Sequence, residues 1–86
     1  MYKIEISPPA LKSLERLKKQ YANIAERIIN TIDNLKNSPL LGKKLIGPLS
    51  DFRSIRVGEY RILYTIIRRQ VLIQIIKVGH RREIYR

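Results

Sequence analysis

The chain has 86 residues and a formal net charge of +11, which suits one domain, residues 1–86, with a small aliphatic core. It contains no cysteine and one histidine, a composition that excludes disulfides, thiolate zinc sites and histidine-based metal centres. No apolar stretch approaches the roughly 20 residues of a membrane span, and no signal peptide is recognisable. We therefore expect a cytoplasmic or nucleoid-associated protein that does not bind membranes.

The first half of the sequence predicts one strand followed by two helices. Residues 2–6 alternate apolar and polar side chains as a short strand does, and Ser7 then stands before two prolines as a helix N-cap. Apolar residues at helical spacing predict the first helix over residues 8–21. Asn23, with a glutamate in capping-box spacing, predicts the start of a second helix that ends before residues 37–39. The short link between them indicates an antiparallel helical hairpin.

The second half predicts a loop and then a three-stranded meander. Two Gly and two Pro among residues 39–51 favour a loop. Residues 52–57, 60–67 and 71–78 are predicted strands separated by turns, and the N-terminal strand can pair with them as an edge. The predicted fold class is therefore α+β, in the order β-α-α-β-β-β. Both helices are expected to pack on one face of a twisted antiparallel sheet.

Basic residues are concentrated in this second half. From residue 37 onward, eleven Lys and Arg against three acidic residues leave +8 of the total charge of +11. Most of these residues are arginines, whose planar guanidinium groups bind phosphate oxygens in pairs. The distribution predicts a polyanionic partner, whose attraction should weaken as salt is added.

Strand parity predicts which of the basic side chains face solvent. Alternate residues from Tyr60 to Ile66 form the more apolar set and are expected to meet the helices, so Arg61 lies on the opposite, open face. Arg53 is expected to point the same way as Arg61, unless the turn between the two strands carries a bulge. The last strand is apolar on both faces, so parity does not orient it.

Two segments carry a resemblance to a known family. Residues 56–64 (RVGEYRILY) are followed, after an apolar strand, by residues 78–85 (VGHRREIY). Together with SPPALK at residues 7–12 and KLIGPL at residues 44–49, they resemble the RelE/ParE superfamily of type II toxin–antitoxin toxins over essentially the whole chain. The resemblance implies the same fold that the sequence pattern predicts.

The resemblance also implies a function and partners. RelE-type members cleave mRNA in the ribosomal A site without a metal or other cofactor, by attack of the ribose 2′-OH on the adjacent phosphate. They are neutralised by an acidic, RelB-like antitoxin in a hetero-oligomer. ParE-type members instead poison DNA gyrase, and a plain RNA- or DNA-binding module is a third interpretation. We favour the nuclease because the residues discussed next suit that chemistry.

Four residues at family positions are the candidate catalytic groups: Arg61, His80, Arg81 and Tyr85. Arg61 and Arg81 are predicted to bind the phosphate and to stabilise its developing charge. His80 is a candidate proton donor because histidine titrates near neutrality, although a phosphate contact or a structural role is equally open. Tyr85 is a candidate general base, a nucleobase stacking partner, or an aromatic plug on the sheet.

Further basic residues are assigned to phosphate docking: Lys43, Lys44, Arg53, Arg56 and Arg82. Arg68 and Arg69, in the last predicted turn, are interpreted as solubilising surface charge. Glu59 and Glu83 are possible bases, but both lie among arginines and are expected to be ion-paired. Without the family resemblance, Arg61 is equally well explained as a surface arginine paired with Glu59.

Overall fold

The computed structural model describes residues 1–84 and confirms the predicted α+β class. The helices and strands, in chain order, are β1 (Lys3–Ile6), α1 (Pro8–Gln20), α2 (Ala22–Asn34), β2 (Lys43–Lys44), β3 (Arg53–Val57), β4 (Tyr60–Ile67) and β5 (Leu72–His80). Two short 3₁₀ turns, Gly47–Leu49 and Arg68–Gln70, complete the assignment. Within this described part of the chain, neither helix is long and apolar enough to cross a membrane.

The five strands form one sheet in the order β1-β5-β4-β3-β2. Neighbouring strands are antiparallel, except that β1 pairs with β5 in parallel, so the sheet is mixed. The predicted edge position of β1 is confirmed, but its parallel direction was not predicted. Hairpin turns impose antiparallel pairing only on strands that follow each other in sequence, and β1 and β5 do not.

Ser7 connects the start of α1 to the sheet. Its Oγ accepts a hydrogen bond from the Ala10 amide at 3.2 Å, which caps the helix as predicted. The same hydroxyl donates to the Ile76 carbonyl at 2.7 Å. Ile76 is the extra residue of a β-bulge, because Leu63 pairs with Lys77 and the next residue of β4 pairs with Ile75. Ser7 therefore satisfies a carbonyl next to the break in the β4–β5 ladder.

The N-cap of the second helix lies two residues before the predicted position. Tyr21 ends α1, with its amide donating to the Leu17 carbonyl at 2.7 Å, and it also serves as the N-cap of α2 without a side-chain hydrogen bond. The predicted cap at Asn23 is therefore wrong. A link of one residue leaves no room for a separate capping residue between the helices.

Both helices pack on one face of the sheet and form a single apolar core with it. Its buried members are Ala10, Leu14, Leu17, Ala25, Ile28, Ile32, Leu35, Val57, Ile62, Tyr64, Ile73, Ile75 and Val78. Ile62 and Tyr64 belong to this core, as strand parity predicted. Leu63 and Ile84 are also buried but lie outside the main core cluster, and Leu63 points to the opposite face of β4.

The segment predicted as a loop contains a short strand. Lys43 pairs with Ser54 and Lys44 pairs with Arg53, so β2 forms the edge of the sheet beside β3. The prediction of a loop over residues 39–51 is wrong at these two positions. Glycine and proline composition reports local preference, whereas β2 is held by a tyrosine 20 or more residues away, as described below.

Val71 has a strained backbone, and its replacement is expected to stabilise the protein. Its φ of 51° lies in the left-handed region, which a β-branched residue rarely adopts, and its side chain is 45% exposed. We expect Val71→Asn to raise the free energy of unfolding by about 1 kcal/mol, because asparagine tolerates this conformation. Urea unfolding measures the change, and Val71→Ala, which keeps most of the strain, is the control. A neutral or destabilising Val71→Asn would contradict the expectation.

Candidate nucleic-acid interface

The open face of the sheet carries two arginines directly opposite each other. Arg61 on β4 pairs with Arg56 on β3, and Gly79 of β5 lies on the other side of Arg61. Like charges at a cross-strand pair destabilise a sheet, so this arrangement favours a bound anion. Neither arginine has an ion pair within residues 1–84. Arg56 donates instead from Nε to the Gly58 carbonyl at 2.9 Å.

Arg53 does not share this face, so its predicted orientation is wrong. It pairs with Tyr64, a residue of the helix-side core, and its Nη1 donates to the Gly42 carbonyl at 2.8 Å. The turn explains the difference. Val57 pairs directly with Tyr60 across a two-residue turn, so each odd-numbered residue of β3 shares a face with an even-numbered residue of β4. Arg56, and not Arg53, therefore shares the open face of the sheet with Arg61.

Arg61 lies in a concave surface of about 800 Å³, which we call the basic groove. Its lining residues are Lys43, Lys44, Leu45, Ile46, Arg61, Arg81 and Arg82. Five of the seven are basic and none is acidic. The groove therefore brings together five of the predicted site residues from β2, β4 and the segment after β5, while Arg53 is not among them.

Arg81 is held in place by the turn between β3 and β4. Its Nε lies 2.8 Å from Glu59 Oε2, and its amide donates to the Glu59 carbonyl at 2.8 Å. Both side chains are about half exposed, so the pair contributes little to stability. Its effect is to orient the guanidinium group. Glu59 therefore binds Arg81, as expected for an acid among arginines, and does not bind Arg61.

The segment after β5 folds back as a turn against the open face. The amides of Glu83 and Ile84 both donate to the His80 carbonyl, at 2.8 and 3.1 Å. Ile84 is buried, and its Cδ1 lies 3.9 Å from the position that a Cβ on Gly79 would occupy. Lys77 Nζ donates to the Glu83 carbonyl at 3.3 Å. Tyr85, a predicted catalytic residue, lies outside the described residues.

His80 lies on the other side of the sheet from Arg61. It pairs with Tyr60, and the two rings meet edge to face with centroids 5.6 Å apart. Its Nδ1 accepts a hydrogen bond from the Arg82 amide at 3.2 Å. The structure therefore does not bring His80 into the basic groove with Arg61 and Arg81. The bulge at Ile76 shifts the parity of β5, and an apolar strand carries no sequence signal for such a shift.

Tyr64 anchors the segment that carries the groove lysines, a role that the sequence analysis missed. Its hydroxyl accepts from the Gly42 amide at 2.8 Å and donates to the Pro39 carbonyl at 2.7 Å. Burial raises the pKa of Tyr64 above its ordinary value of 10.0, while the Gly42 hydrogen bond and the charge of Arg53 oppose the shift. The sequence offered one sign of this role: a tyrosine on the core face of β4, where a buried phenol needs hydrogen-bond partners.

Gly42 provides the space for this contact. A Cβ at Gly42 would lie 2.7 Å from both Cε1 and Oη of Tyr64 and 3.1 Å from the Ser54 carbonyl. No side chain fits there without displacing the ring. The close approach fixes the path of the chain into β2, and so places Lys43 beside the groove.

The basic groove can bind a phosphodiester and stabilise negative charge that develops on it. Arginine guanidinium groups supply paired donors for non-bridging oxygens. Among residues 1–84, no three His, Cys, Asp or Glu side chains are close enough together to hold a metal ion.

The fold and its basic face define a class of small toxins. A family model described as the ParE toxin of type II toxin–antitoxin systems (parDE) matches residues 4–85. The chain belongs to this family and is a type II toxin–antitoxin toxin of the RelE/ParE superfamily.

Individual relatives agree with this assignment. The chain is 25% identical over 87 residues to the "Putative toxin RelE4" of Methanocaldococcus jannaschii, covering 100% of this chain and 93% of that protein. The RelBE2 toxin–antitoxin complex of Mycobacterium tuberculosis contains a similar chain, with a TM-score of 0.81, 28% identity and coverage of 92% and 96%. The YoeB/ParE toxin of Agrobacterium tumefaciens shares the fold, with a TM-score of 0.81, 22% identity and coverage of 91% and 96%.

Proposed function

We propose that this toxin is a ribosome-dependent endoribonuclease that cleaves mRNA in the A site, without a metal, and so inhibits translation in the cytoplasm. One observation carries the proposal. Arg61 and Arg81, which the family resemblance marks as catalytic, lie in one groove with three further basic residues and no acidic one. Arg56 and Arg61 lie opposite each other without an acidic partner in the described residues, so a phosphate bound between them would relieve the repulsion between their charges.

The proposed reaction is a transesterification within the RNA strand. The ribose 2′-oxygen forms a bond to the adjacent phosphorus, and the bond from phosphorus to the 5′-oxygen of the next nucleotide breaks. A base takes the proton of the 2′-OH, and a proton is delivered to the departing 5′-oxygen. The products are a 2′,3′-cyclic phosphate and a 5′-hydroxyl. Charge builds up on the non-bridging oxygens as the new bond forms.

Arg61 and Arg81 are proposed to stabilise that charge. The Arg61 guanidinium group lies mid-sheet and suits two phosphate oxygens at once. Arg81 uses Nε for Glu59, which leaves its two terminal nitrogens available for the substrate. Preorganised donors of this kind contribute most where charge develops in the transition state.

Other predicted residues take supporting roles in the proposal. Lys43, Lys44 and Arg82 line the groove and dock the RNA backbone. Tyr85 is proposed as general base or as stacking partner of a nucleobase. His80 lies outside the groove and is proposed to support it, because it accepts the Arg82 amide hydrogen bond.

The proposed inhibitor is an acidic antitoxin that covers the groove. Two of the similar structures are described as toxin–antitoxin complexes, RelBE2 of Mycobacterium tuberculosis and RelBE of Escherichia coli. A chain of net charge +11 repels itself when compact, so an acidic partner that folds on it would also stabilise it.

Inhibition of DNA gyrase is the second candidate function. It is favoured by the description of the matching family model, which names ParE. The experiment that separates the two adds the purified toxin to a cell-free translation reaction and maps mRNA ends by primer extension. Cuts in register with codons support the nuclease. Intact mRNA, together with trapped gyrase–DNA complexes in a supercoiling assay, would establish the gyrase function instead.

Removal of the Glu59 charge is expected to slow cleavage with little effect on stability. Without the ion pair, Arg81 loses its orientation, and we expect Glu59→Gln to lower the cleavage rate about tenfold. The free energy of unfolding should change by less than about 1 kcal/mol, because the pair is exposed. Primer extension and urea unfolding provide the two measurements. Glu15→Gln, on the exposed side of α1, is the control for the charge change. Normal cleavage by Glu59→Gln would rule out this positioning role.

A further inference from the structure

A second concave surface lies on the helix side of the sheet, away from the basic groove. Two depressions of about 330 and 700 Å³ adjoin each other and share Gln20, Tyr60 and His80. They extend from Ser13 on α1 to Ile24 near the start of α2. We call this continuous surface the aromatic crevice. It is separate from the basic groove, because Tyr60 and His80 share the sheet face opposite to Arg61.

The side chains of the crevice suit a flat heteroaromatic ring. Tyr60 and His80 are half-buried and meet edge to face, and Tyr21 stands beside them with 59% of its surface exposed. Aromatic faces of this kind stack on nucleobases whatever their sequence. The amides of Gln20 and Asn23 can both donate and accept hydrogen bonds, as recognition of a base edge requires.

The crevice is lined by one basic residue, Arg16, and by the acidic Glu59 and Glu83, of which Glu59 is ion-paired with Arg81. Further positive charge for a phosphate comes from the neighbouring basic residues of α1. Lys12, Arg16 and Lys19 recur at i, i+4 and i+7, so they follow one side of α1, facing away from its buried residues. Lys18 and Glu15 are the remaining charged residues of α1, so the helix carries a net charge of +3. The basic side chains of α1 have no ion pair in the described part of the chain. Arg16 lines the crevice itself.

We propose that the aromatic crevice is a second binding site for single-stranded RNA, in which a base stacks against Tyr60 and Tyr21 while Arg16 binds its phosphate. A basic track with aromatic platforms is the usual arrangement for binding single strands. The crevice and the groove meet at one end of the sheet, because His80 belongs to the crevice and Arg81 to the groove. One RNA strand can therefore be held on both sides of that end.

The choice of RNA as ligand rests on the proposed function, but the binding test does not depend on cleavage. We use the ¹⁵N-labelled Arg61→Ala chain, which lacks one of the proposed phosphate binders of the groove, and titrate it with 5′-AMP. Amide shifts are expected at Gln20, Tyr21, Tyr60 and His80, with a dissociation constant of about 1 mM or lower. Ribose 5-phosphate should bind at least about fivefold more weakly, because it lacks the base.

Two variants in the same Arg61→Ala background separate the contributions of phosphate and base. Arg16→Gln is expected to weaken AMP binding about fivefold and to leave adenosine binding unchanged, while Lys18→Gln on the same helix changes neither. Tyr60→Leu is expected to weaken both ligands about tenfold, with Tyr2→Leu, just before β1, as the matched control. Arg16 is exposed, so its variant remains informative if Tyr60→Leu fails to fold.

Three results would overturn the proposal. The first is an AMP titration that shifts only residues of the basic groove. The second is ribose 5-phosphate binding as tightly as AMP, which would reduce the crevice to a surface of general positive charge. The third is perturbation of the crevice by a glutamate-rich peptide but not by AMP, which would assign it to an acidic protein partner. A protein that binds AMP in the crevice yet leaves mRNA intact would contradict the nuclease alone.

Discussion

Replacing Arg61 with alanine is expected to lower the rate of mRNA cleavage by at least about 100-fold, the usual cost of removing one preorganised donor from a developing oxyanion. Arg61 lies mid-sheet in the basic groove, and no acidic side chain within residues 1–84 neutralises it. Arg61→Lys should also be impaired, because an ammonium group cannot bind two oxygens in a planar fork. Primer extension on a translated mRNA measures the rate.

The same substitution is expected to stabilise the folded protein slightly. Arg61 faces Arg56 directly across the strands, and removing one of two opposed like charges should raise the free energy of unfolding by about 0.2–1 kcal/mol. Arg69→Ala, in the exposed turn before β5, is the control, since it makes the same change of charge away from the groove. Normal cleavage by Arg61→Ala would contradict its role in catalysis. Clear destabilisation would show that Arg61 is a structural residue.

Replacing Tyr64 with phenylalanine is expected to lower the free energy of unfolding by about 2 kcal/mol, the sum of two hydrogen bonds at about 1 kcal/mol each. The substitution leaves the Gly42 amide and the Pro39 carbonyl without their partner. Tyr60→Phe is the matched control, because the Tyr60 hydroxyl makes no hydrogen bond within the described residues. Equal destabilisation by both changes would argue against the anchoring role.

The stability effect of Tyr64→Phe should also depend on pH. Burial raises the pKa of Tyr64, so the folded state favours the neutral phenol. The stability that this phenol contributes is present below its unfolded pKa of roughly 10 and is lost as the pH rises through the folded-state pKa. The difference between wild type and Tyr64→Phe should therefore be constant from pH 7 to about pH 9 and shrink above about pH 10.5. A difference that grows with alkaline pH would contradict the direction of the shift.

The features predicted well from sequence are those set by local pattern. Ser7 before two prolines determined the start of α1, and alternation along β4 placed Arg61 on the open face. The errors arose where longer-range geometry decides. The orientation of Arg53 depends on how the turn at Gly58 pairs the two strands, and the orientation of His80 depends on a bulge in an apolar strand.

The segment before β3 was also not predictable from local pattern, for a different reason. Its glycines and prolines predict a loop, yet a hydroxyl on β4 fixes its path into a strand. By composition Gly42 favours a loop, whereas in the fold it lets the Tyr64 ring approach the backbone. A contact between residues 22 apart in sequence cannot be read from composition, because it exists only once β4 is in place.

The two-residue strand β2 has a consequence for self-association. It forms an outer edge of the sheet, where unpaired backbone N–H and C=O groups can pair with strands of other molecules. β2 is very short and consists only of Lys43 and Lys44, which is how natural sheets discourage edge-to-edge aggregation. The lysines that line the groove therefore also protect a sheet margin. Replacing Lys43 and Lys44 with neutral residues would remove the charge repulsion that discourages edge-to-edge pairing, as well as two contacts for a polyanion.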